Sequence, residues 1–435
     1  MSLTARTLTL IALTLVLAIM GLWAQDETVG MLWRIPAALI LTGLAVESFL
    51  ARSRRFSLRV EVPARAYLGR SLPVHVVLEN SERLPLATEF AVQGPSGIGT
   101  PAGTQFLRVR GHERAEATLP ITPIRLGARQ WPTVRARVLG LFGLAWWSRQ
   151  VPQEAAVNVG PDLAGTAAQR AASANEGAMA GRARGSGAEL HQLRPYRPGD
   201  PLHRIDWKAT ARRAGLITRE FTEDQHLDVI VALDAGRSSR LSAGSLDRLG
   251  TFANVAARFA EHAIAHDDRI GLLVYAERVL SVVPPGRGHN AVVRVRDVLE
   301  SLGHEAGAGA ESSPLAAALR IRSLARHRSL VVLLTDLDDV TTGGELTRAV
   351  RLLQARHLVM VAGIAPHEID ALAAAPAQTW IDPYRSLAAR EWQARSRAQL
   401  ASLRSAGTPV VAARPSDLES AIFGYYARLR RARRV

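Results

Sequence analysis

From Thr7 to Gln25 the chain carries no charged side chain, and Leu8, Ile11, Leu13, Leu15, Val16, Leu17, Ile19, Met20 and Leu22 fill that stretch with apolar surface. A helical run of about 20 such residues matches the hydrocarbon thickness of a bilayer. Whatever else the chain folds into, this segment has to be kept from water. A second apolar stretch, Ile35 to Ala51, is interrupted by Pro36 and Glu47, with Arg34 at its near edge. Only Asp26 and Glu27 are charged between Arg6 and Arg34, whereas Arg52, Arg54 and Arg55 follow the second stretch. The excess of arginine at both outer ends predicts a transmembrane hairpin over residues 1–55, with both ends and the soluble bulk on the cytoplasmic side of a bacterial inner membrane. A cleaved secretory signal is the competing reading, but Leu22 and Trp23 ahead of Ala24 fit the small-x-small cleavage pattern badly.

The absence of cysteine removes disulfides, thiolate catalysis and cysteine-ligated zinc. The formal charge of +15 admits nucleic acid or the anionic inner leaflet as a partner, and a hairpin in the membrane favours the leaflet. Arg428, Arg430, Arg431, Arg433 and Arg434 form the densest basic cluster, read as a solvated helix end rather than a nucleic-acid arm.

Beyond the hairpin the pattern changes to period two. Leu58, Val60 and Val62 alternate with Arg59 and Glu61, Val74, Val76 and Leu78 follow, and Val134, Ala136 and Val138 repeat the alternation. Such spacing predicts strands with one buried face and a small antiparallel β-sandwich of immunoglobulin-like size over 56–162, with Phe142, Trp146 and Trp147 in its core. Residues 163–189 are rich in Ala, Gly, Ser and Arg and read as a flexible linker. From 190 to 435 short apolar runs (Leu227–Leu233, Ile270–Tyr275, Leu330–Leu334, Leu358–Ile364) alternate with helical spacing over Leu246–Ala265, Ala291–Leu302, Leu315–Arg326 and Glu345–Ala355. This order predicts an α/β domain with a doubly wound parallel sheet. Ser416 and Glu419 have the spacing of a capping box for a last helix.

Tyr196 to Arg219 contains Lys208, the only lysine in the chain. Lys208 follows Trp207, so the Gly-Lys-Ser/Thr loop of P-loop NTPases is absent. Tyr196, Pro198, Gly199, Asp200, Arg204, Ile205, Asp206, Trp207, Lys208, Thr210, Ala211, Arg212, Arg219 and Glu220 together resemble the signature of a bacterial von Willebrand factor A-like family of unknown function, domain of unknown function 58, whose members are often encoded beside MoxR-type AAA+ ATPases. The resemblance implies that 190–435 is the signature arm plus a von Willebrand factor A-like domain, with a MoxR-type ATPase as partner. Read from the residues, Ile205, Trp207 and Leu216 dock an extended arm on the sheet. Asp206, Lys208, Arg212 and Arg219 offer either bracing or a fixed charge pattern to a partner.

In open parallel sheets ligands gather beyond the carboxyl ends of the strands. Von Willebrand A-type domains hold a divalent cation there with an Asp-x-Ser-x-Ser loop, a distant Thr and a further Asp. The resemblance maps this set onto Asp234, Ser238, Ser313 and Asp336, oxygen donors suited to magnesium or manganese. Gly236 stands where the first serine is due and Ser313 where the threonine is due, so the motif is degenerate. Asp338 and Asp339 follow, either adding negative potential around a cation or simply solvated, and the competing reading of Asp234 and Asp336 is that their carboxylates cap the helices that follow. No His-Glu-x-x-His, Gly-x-Ser-x-Gly or dinucleotide fingerprint is present. The reading that follows is a non-enzymatic, membrane-anchored adaptor or chaperone accessory that acts with a MoxR-type ATPase through the protein-binding site of its von Willebrand factor A-like domain, with or without magnesium. A metal-dependent hydrolase using Asp234 and Asp336, and a basic nucleic-acid-binding protein, are the alternatives.

Overall fold

The computed structural model describes residues 1–23, 30–101, 103–163, 184–185, 189–213, 215–222, 226–305, 310–337, 340–365 and 367–432. Asp26, Glu27, Asp338, Asp339, Arg433, Arg434 and nearly all of the linker expected over 163–189 lie outside the described residues. The chain divides into two compact units, Met1–Gly160 and Pro161–Val435.

The first unit opens with helices α1 (Ala5–Gly21) and α2 (Arg34–Ser53). The Thr4 hydroxyl caps α1 by accepting the Thr7 N–H. Of the two, α2 is long and apolar enough to cross a membrane, and α1 is a shorter apolar helix. Strands β1 (Phe56–Glu61), β2 (Leu72–Asn80), β3 (Leu86–Ala91), β4 (Gln105–Val109), β5 (Arg114–Pro123), β6 (Val134–Leu139) and β7 (Ala145–Val151) follow, with shorter strands between and around them. They form two main antiparallel sheets. In one, β2 lies between β1 and β5, with Val60 opposite Val76 and Val76 opposite Ala117. In the other, β6 lies between β7 and β3, and β4 pairs the far side of β3. Val74, Val76 and Leu78 are fully buried while Glu79 is exposed, so the alternation in the sequence becomes an inner and an outer face.

The aromatic patch departs from expectation. Phe142 is 55% exposed, and Trp146 and Trp147 are only half-buried. The cause is local: Phe142 belongs to the turn joining β6 to β7, where Gly143 adopts φ of 72° and donates its N–H to the Gly140 carbonyl. Glu47 of α2, wholly buried, receives the N–H groups of Phe142 (2.7 Å), Leu144 (3.1 Å) and Ala145 (3.1 Å). The charge that interrupts the second apolar stretch thus serves as the acceptor for an exposed turn's backbone.

The second unit contains β8 (Glu189–Pro195), α3 (Trp207–Arg213), β9 (Ile217–Thr222), β10 (Asp228–Asp234), α4 (Arg248–Ala265), β11 (Arg269–Tyr275), β12 (Val279–Gly286), α5 (His289–Glu305), α6 (Pro314–Leu324), β13 (Leu330–Leu334), α7 (Val340–Gln354), β14 (Leu358–Ile364), α8 (His367–Ala374), α9 (Asp382–Ser405), β15 (Val410–Ala413) and α10 (Leu418–Ala432). Six strands form one sheet in the order β12-β11-β10-β13-β14-β15. All neighbours run parallel except β12, which returns antiparallel along the edge. The strands read as unbroken apolar runs because both faces are covered. Ile230, Ala232, Leu273, Val331, Leu333 and Val361 pack with residues of α6, α7 and α9. Alternate residues such as Val229, Val231, Leu272 and Val274 are equally buried, and α4, α5 and α10 contact the same strands without joining that cluster. Phe252 and Phe259 of α4 are fully buried, each contributing roughly 2–3 kcal/mol by the area removed from water.

The capping box does not form. Ser416 donates to Asp417, and Glu419 instead accepts from Arg258 at 2.6 Å.

Candidate functional site

Asp234 ends β10 and Asp336 lies two residues beyond β13. These strands are parallel neighbours with Leu233 opposite Leu334, so both carboxylates reach the same rim of the sheet. Asp234 is 2% exposed. One carboxylate oxygen accepts the Gly236 N–H at 2.9 Å, and the other accepts the hydroxyls of Ser312 and Thr335, each at 2.7 Å. Burial nevertheless dominates and pushes the Asp234 carboxyl above the ordinary aspartate range, and the nearby negative charge of Asp336 pushes the same way. Tyr275, opposite Asp234 on β11, is also fully buried. Its hydroxyl makes no well-formed hydrogen bond although the Thr335 and Ser312 hydroxyls lie beside it. Burial, and then the charge of Asp234, raises its pKa.

Asp336 is held by Arg248, the first residue of α4, in an ion pair buried on both sides. The helix starts there because Asp247 caps it, accepting the Gly250 N–H at 2.7 Å. Ser313 caps α6 and donates its hydroxyl to Glu345 at 2.5 Å. The half-buried Ser238 sits in the short 3-10 turn Arg237–Arg240. Of the four residues expected to gather, then, Asp234 and Asp336 share the rim. The contacts of Ser313 go to Glu345 and the helix it caps, while Asp234 is served by Ser312 and Thr335.

Gly236 is explained by space. A Cβ there would stand 3.0 Å from Ser312 Cβ and 3.1 Å from an Asp234 carboxylate oxygen, so the position of the missing serine side chain is closed by Ser312 itself. The donors are all oxygens, as magnesium or manganese requires. Their commitments are the difficulty, since Asp336 is neutralised by Arg248 and a divalent cation would face that guanidinium at close range. The residues as arranged do not fit a resident ion. Among the described residues no group of three or more His, Asp or Glu side chains is placed to hold a metal.

The arm from Tyr196 to Arg219 is organised differently. Arg194 grips Asp200 through two hydrogen bonds of 2.8 Å, and the Arg197 N–H adds a third at 2.9 Å. These hold the Asp200 carboxyl below its ordinary range, Arg194 first. Gly199, at φ of 107°, makes the turn that brings Asp200 back. Asp206 caps α3 by accepting the Ala209 N–H at 3.0 Å and pairs with Arg219 at 2.9 Å. Its carboxyl is held low by the Ala209 N–H and then by Arg219. The Thr210 hydroxyl accepts the Ile217 N–H, tying α3 to β9. Tyr196 and Arg204 are half-buried, whereas Lys208 and Arg212 are exposed.

Ile205 is buried as expected, but Trp207 is 67% exposed and Leu216 is exposed as well. The expectation that all three dock the arm fails. A helix of seven residues anchored through its cap and Thr210 has only one inward face, and Trp207 at its first position lies off that face.

Residues 192–375 match the model of a family described as protein of unknown function, DUF58. That match takes in both the arm and the rim of the sheet. Similar curated proteins include the uncharacterized protein Rv1480 of Mycobacterium tuberculosis and the uncharacterized protein Mb1516 of Mycobacterium bovis. Each is 23% identical over 187 residues, or 43% of this chain. The matched region spans 58% of the length of these relatives. Among solved structures, a conserved hypothetical protein BatB from Bacteroides thetaiotaomicron is 19% identical with a TM-score of 0.25, over 32% of this chain and 67% of that one. The α-2-macroglobulin of Salmonella is 15% identical with a TM-score of 0.20, over 24% of this chain and 7% of that one.

Within the DUF58 match, Ser312, Thr335, Arg248, Glu345 and Tyr275 were not singled out from sequence. Thr335 had a usable signal, being a hydroxyl between the last apolar residue of a strand and Asp336. Arg248 had none, because an arginine near the start of an amphipathic helix reads as solvated.

Proposed function

We propose that this chain is a membrane-anchored, non-enzymatic adaptor whose α/β unit is von Willebrand factor A-like, and that it docks a MoxR-type AAA+ ATPase through the arm from Tyr196 to Arg219. The exposure of Trp207 carries this reading. A tryptophan held outward on a helix that also exposes Lys208 and Arg212, with the carboxylates of the turn and helix already paired, has the composition and rigidity of a binding hot spot. Rigid presentation lowers the entropy lost on docking. The buried rim supports an adaptor over a hydrolase: Asp234, at 2% exposure and engaged by three donors, is poorly accessible to a substrate as general base or nucleophile. Docking through the arm needs no resident magnesium or manganese. The identity of the partner rests on the resemblance of the arm, and the chain's lack of a P-loop fits a division of labour in which the partner hydrolyses ATP. In this reading the apolar helices α1 and α2 anchor the adaptor in the inner membrane with both soluble units cytoplasmic, which the apolar length of α2 supports.

Affinity purification of the full chain in mild detergent, with ATP, ADP or no nucleotide, tests the proposal. Recovery of a MoxR-type ATPase with the parent and its loss with Trp207→Ala is the expected result. Failure to recover any AAA+ ATPase in all three conditions refutes it.

A further inference from the structure

We propose that the β6–β7 turn, Gly140 to Leu144, is a membrane-contacting wedge that completes the apolar thickness of the N-terminal hairpin, with lipid as its partner. This rests on the membrane-anchor part of the reading above, and the observations that carry it lie within the first unit.

The turn is fixed to both helices at one level. Thr4 donates its hydroxyl to the Gly143 carbonyl at 2.7 Å, and the Thr7 hydroxyl donates to the Leu144 carbonyl. Glu47 of α2 receives three N–H groups of the same segment. Leu144 lies against Gly43, where a Cβ would meet its Cδ1 at 2.9 Å. Thr7 and Glu47 therefore mark the depth at which the hairpin meets the β-sheets.

Beyond that level the helices are short. Leu8 to Leu22 spans about 21 Å and Arg34 to Glu47 about 20 Å at ~1.5 Å per residue, against a hydrocarbon core of about 30 Å. Even a further pitch of ~5.4 Å at the tip leaves several ångströms uncovered. A bilayer meets such a mismatch by thinning or by taking in neighbouring protein surface.

The surface next to Glu47 suits the second course. Phe49 on α2 is 74% exposed, and Leu141 and Phe142 on the turn are 40% and 55% exposed. Phe106, also exposed, stands edge-on to Trp146 with ring centroids 6.4 Å apart. Arg6, exposed at the foot of α1, lies beside Gly143, where a cationic side chain can reach lipid phosphate. The N–H groups of Gly140, Phe142, Gly143, Leu144 and Ala145 are all engaged by Glu47 or within the turn and its flanking strand, which reduces the polar backbone that lipid would penalise at that depth. Exposed Phe and Leu side chains on an otherwise polar surface bury at the boundary between headgroups and acyl chains.

The chain has no cysteine, so single spin labels report without background. Full-length protein carrying Phe142→Cys, Leu39→Cys or Thr133→Cys is reconstituted in vesicles of phosphatidylethanolamine and phosphatidylglycerol. Each label is then tested for relaxation by oxygen, which partitions into lipid, and by a water-soluble nickel chelate. Leu39 on α2 reports the hairpin itself, and Thr133 is exposed at the opposite end of β6 from the turn. The expected result is an oxygen-to-nickel ratio at Phe142 several-fold above that at Thr133 and below that at Leu39. A Phe142 label that matches Thr133 while Leu39 stays lipid-protected overturns the wedge and leaves the anchor standing. A nickel-accessible Leu39 overturns both. A Phe142 label shielded from both reagents means that protein covers the turn, and also overturns the proposal.

Discussion

Replacing Asp234 tests whether the rim is a sealed polar cluster. Asp234→Ala removes the shared acceptor of the Gly236 N–H and of the Ser312 and Thr335 hydroxyls. A hydrogen bond to a charged group contributes ~1.5–3 kcal/mol, and a buried donor left alone costs ~1–3 kcal/mol. The two hydroxyls can rotate toward other acceptors, but the Gly236 amide cannot. Against these losses stands the relief of burying a carboxylate beside Asp336, the origin of the raised Asp234 pKa. The net cost is about 2–4 kcal/mol. Asp234→Asn keeps an oxygen for Gly236 and can donate to the hydroxyls, so about half that cost is expected. Hydrogen–deuterium exchange of peptides covering β10 and β13, in the full chain in mild detergent, reads the difference locally. A loss of ~2–4 kcal/mol corresponds to opening about 30- to 1000-fold more often. The pH dependence has a sign as well. A carboxyl whose folded pKa lies above its unfolded value contributes stability that is present below the ordinary aspartate pKa and lost as pH rises through the folded one. Asp234→Asn should therefore flatten the acid side of the parent's profile. An alanine variant that exchanges like the parent, or like the asparagine variant, refutes the assignment of a shared buried acceptor.

Calorimetric titration of the parent with magnesium or manganese should give no heat that Asp234→Ala abolishes, because Asp336 is already neutralised by Arg248; a site-specific heat would restore the cation site. Gly363→Ala should destabilise by about 2–3 kcal/mol, since its Cβ would fall 2.6 Å from both the Thr335 carbonyl oxygen and Leu337 Cγ; an unchanged denaturation midpoint counts against this packing. His262 stacks on Phe423 at 4.6 Å, and burial, with His266 and Arg430 nearby, lowers its pKa to about 4. Its neutral form contributes stability above about pH 6.5 that is lost as pH falls toward 4. His262→Phe should remove that part of the acid sensitivity around α10, and an unaltered acid transition by circular dichroism would disprove it.

The parallel sheet was readable because Leu330–Leu334 and Leu358–Ile364 are apolar on both faces and bounded by polar residues, and Asp234 and Asp336 reach one rim because each follows such a run. The antiparallel edge β12 was missed: apart from Val283 its residues are half-buried or exposed, and Pro284 and Pro285 break the pattern. Helices α8 and α9 escaped because α9 is largely solvated, with little apolar periodicity to read. Which of two adjacent serines faces Asp234 depends on Ser313 being spent as the cap of α6, a matter of tertiary geometry. Phe142 was assigned to a core because aromatics in small β-domains usually fill one, and its exposure follows from a turn whose partner, Glu47, lies far away in sequence.

Helix α4 links two of these features. Asp162 is fastened to it through the Asn254 side chain and twice through Arg258, and Arg258 also reaches Glu419 on α10. Ten residues earlier the same helix presents Arg248 to Asp336. One helix thus ties Asp162, α10 and the rim of the sheet together, so any displacement of α4 would disturb the Arg258 contacts and the Arg248–Asp336 pair at once.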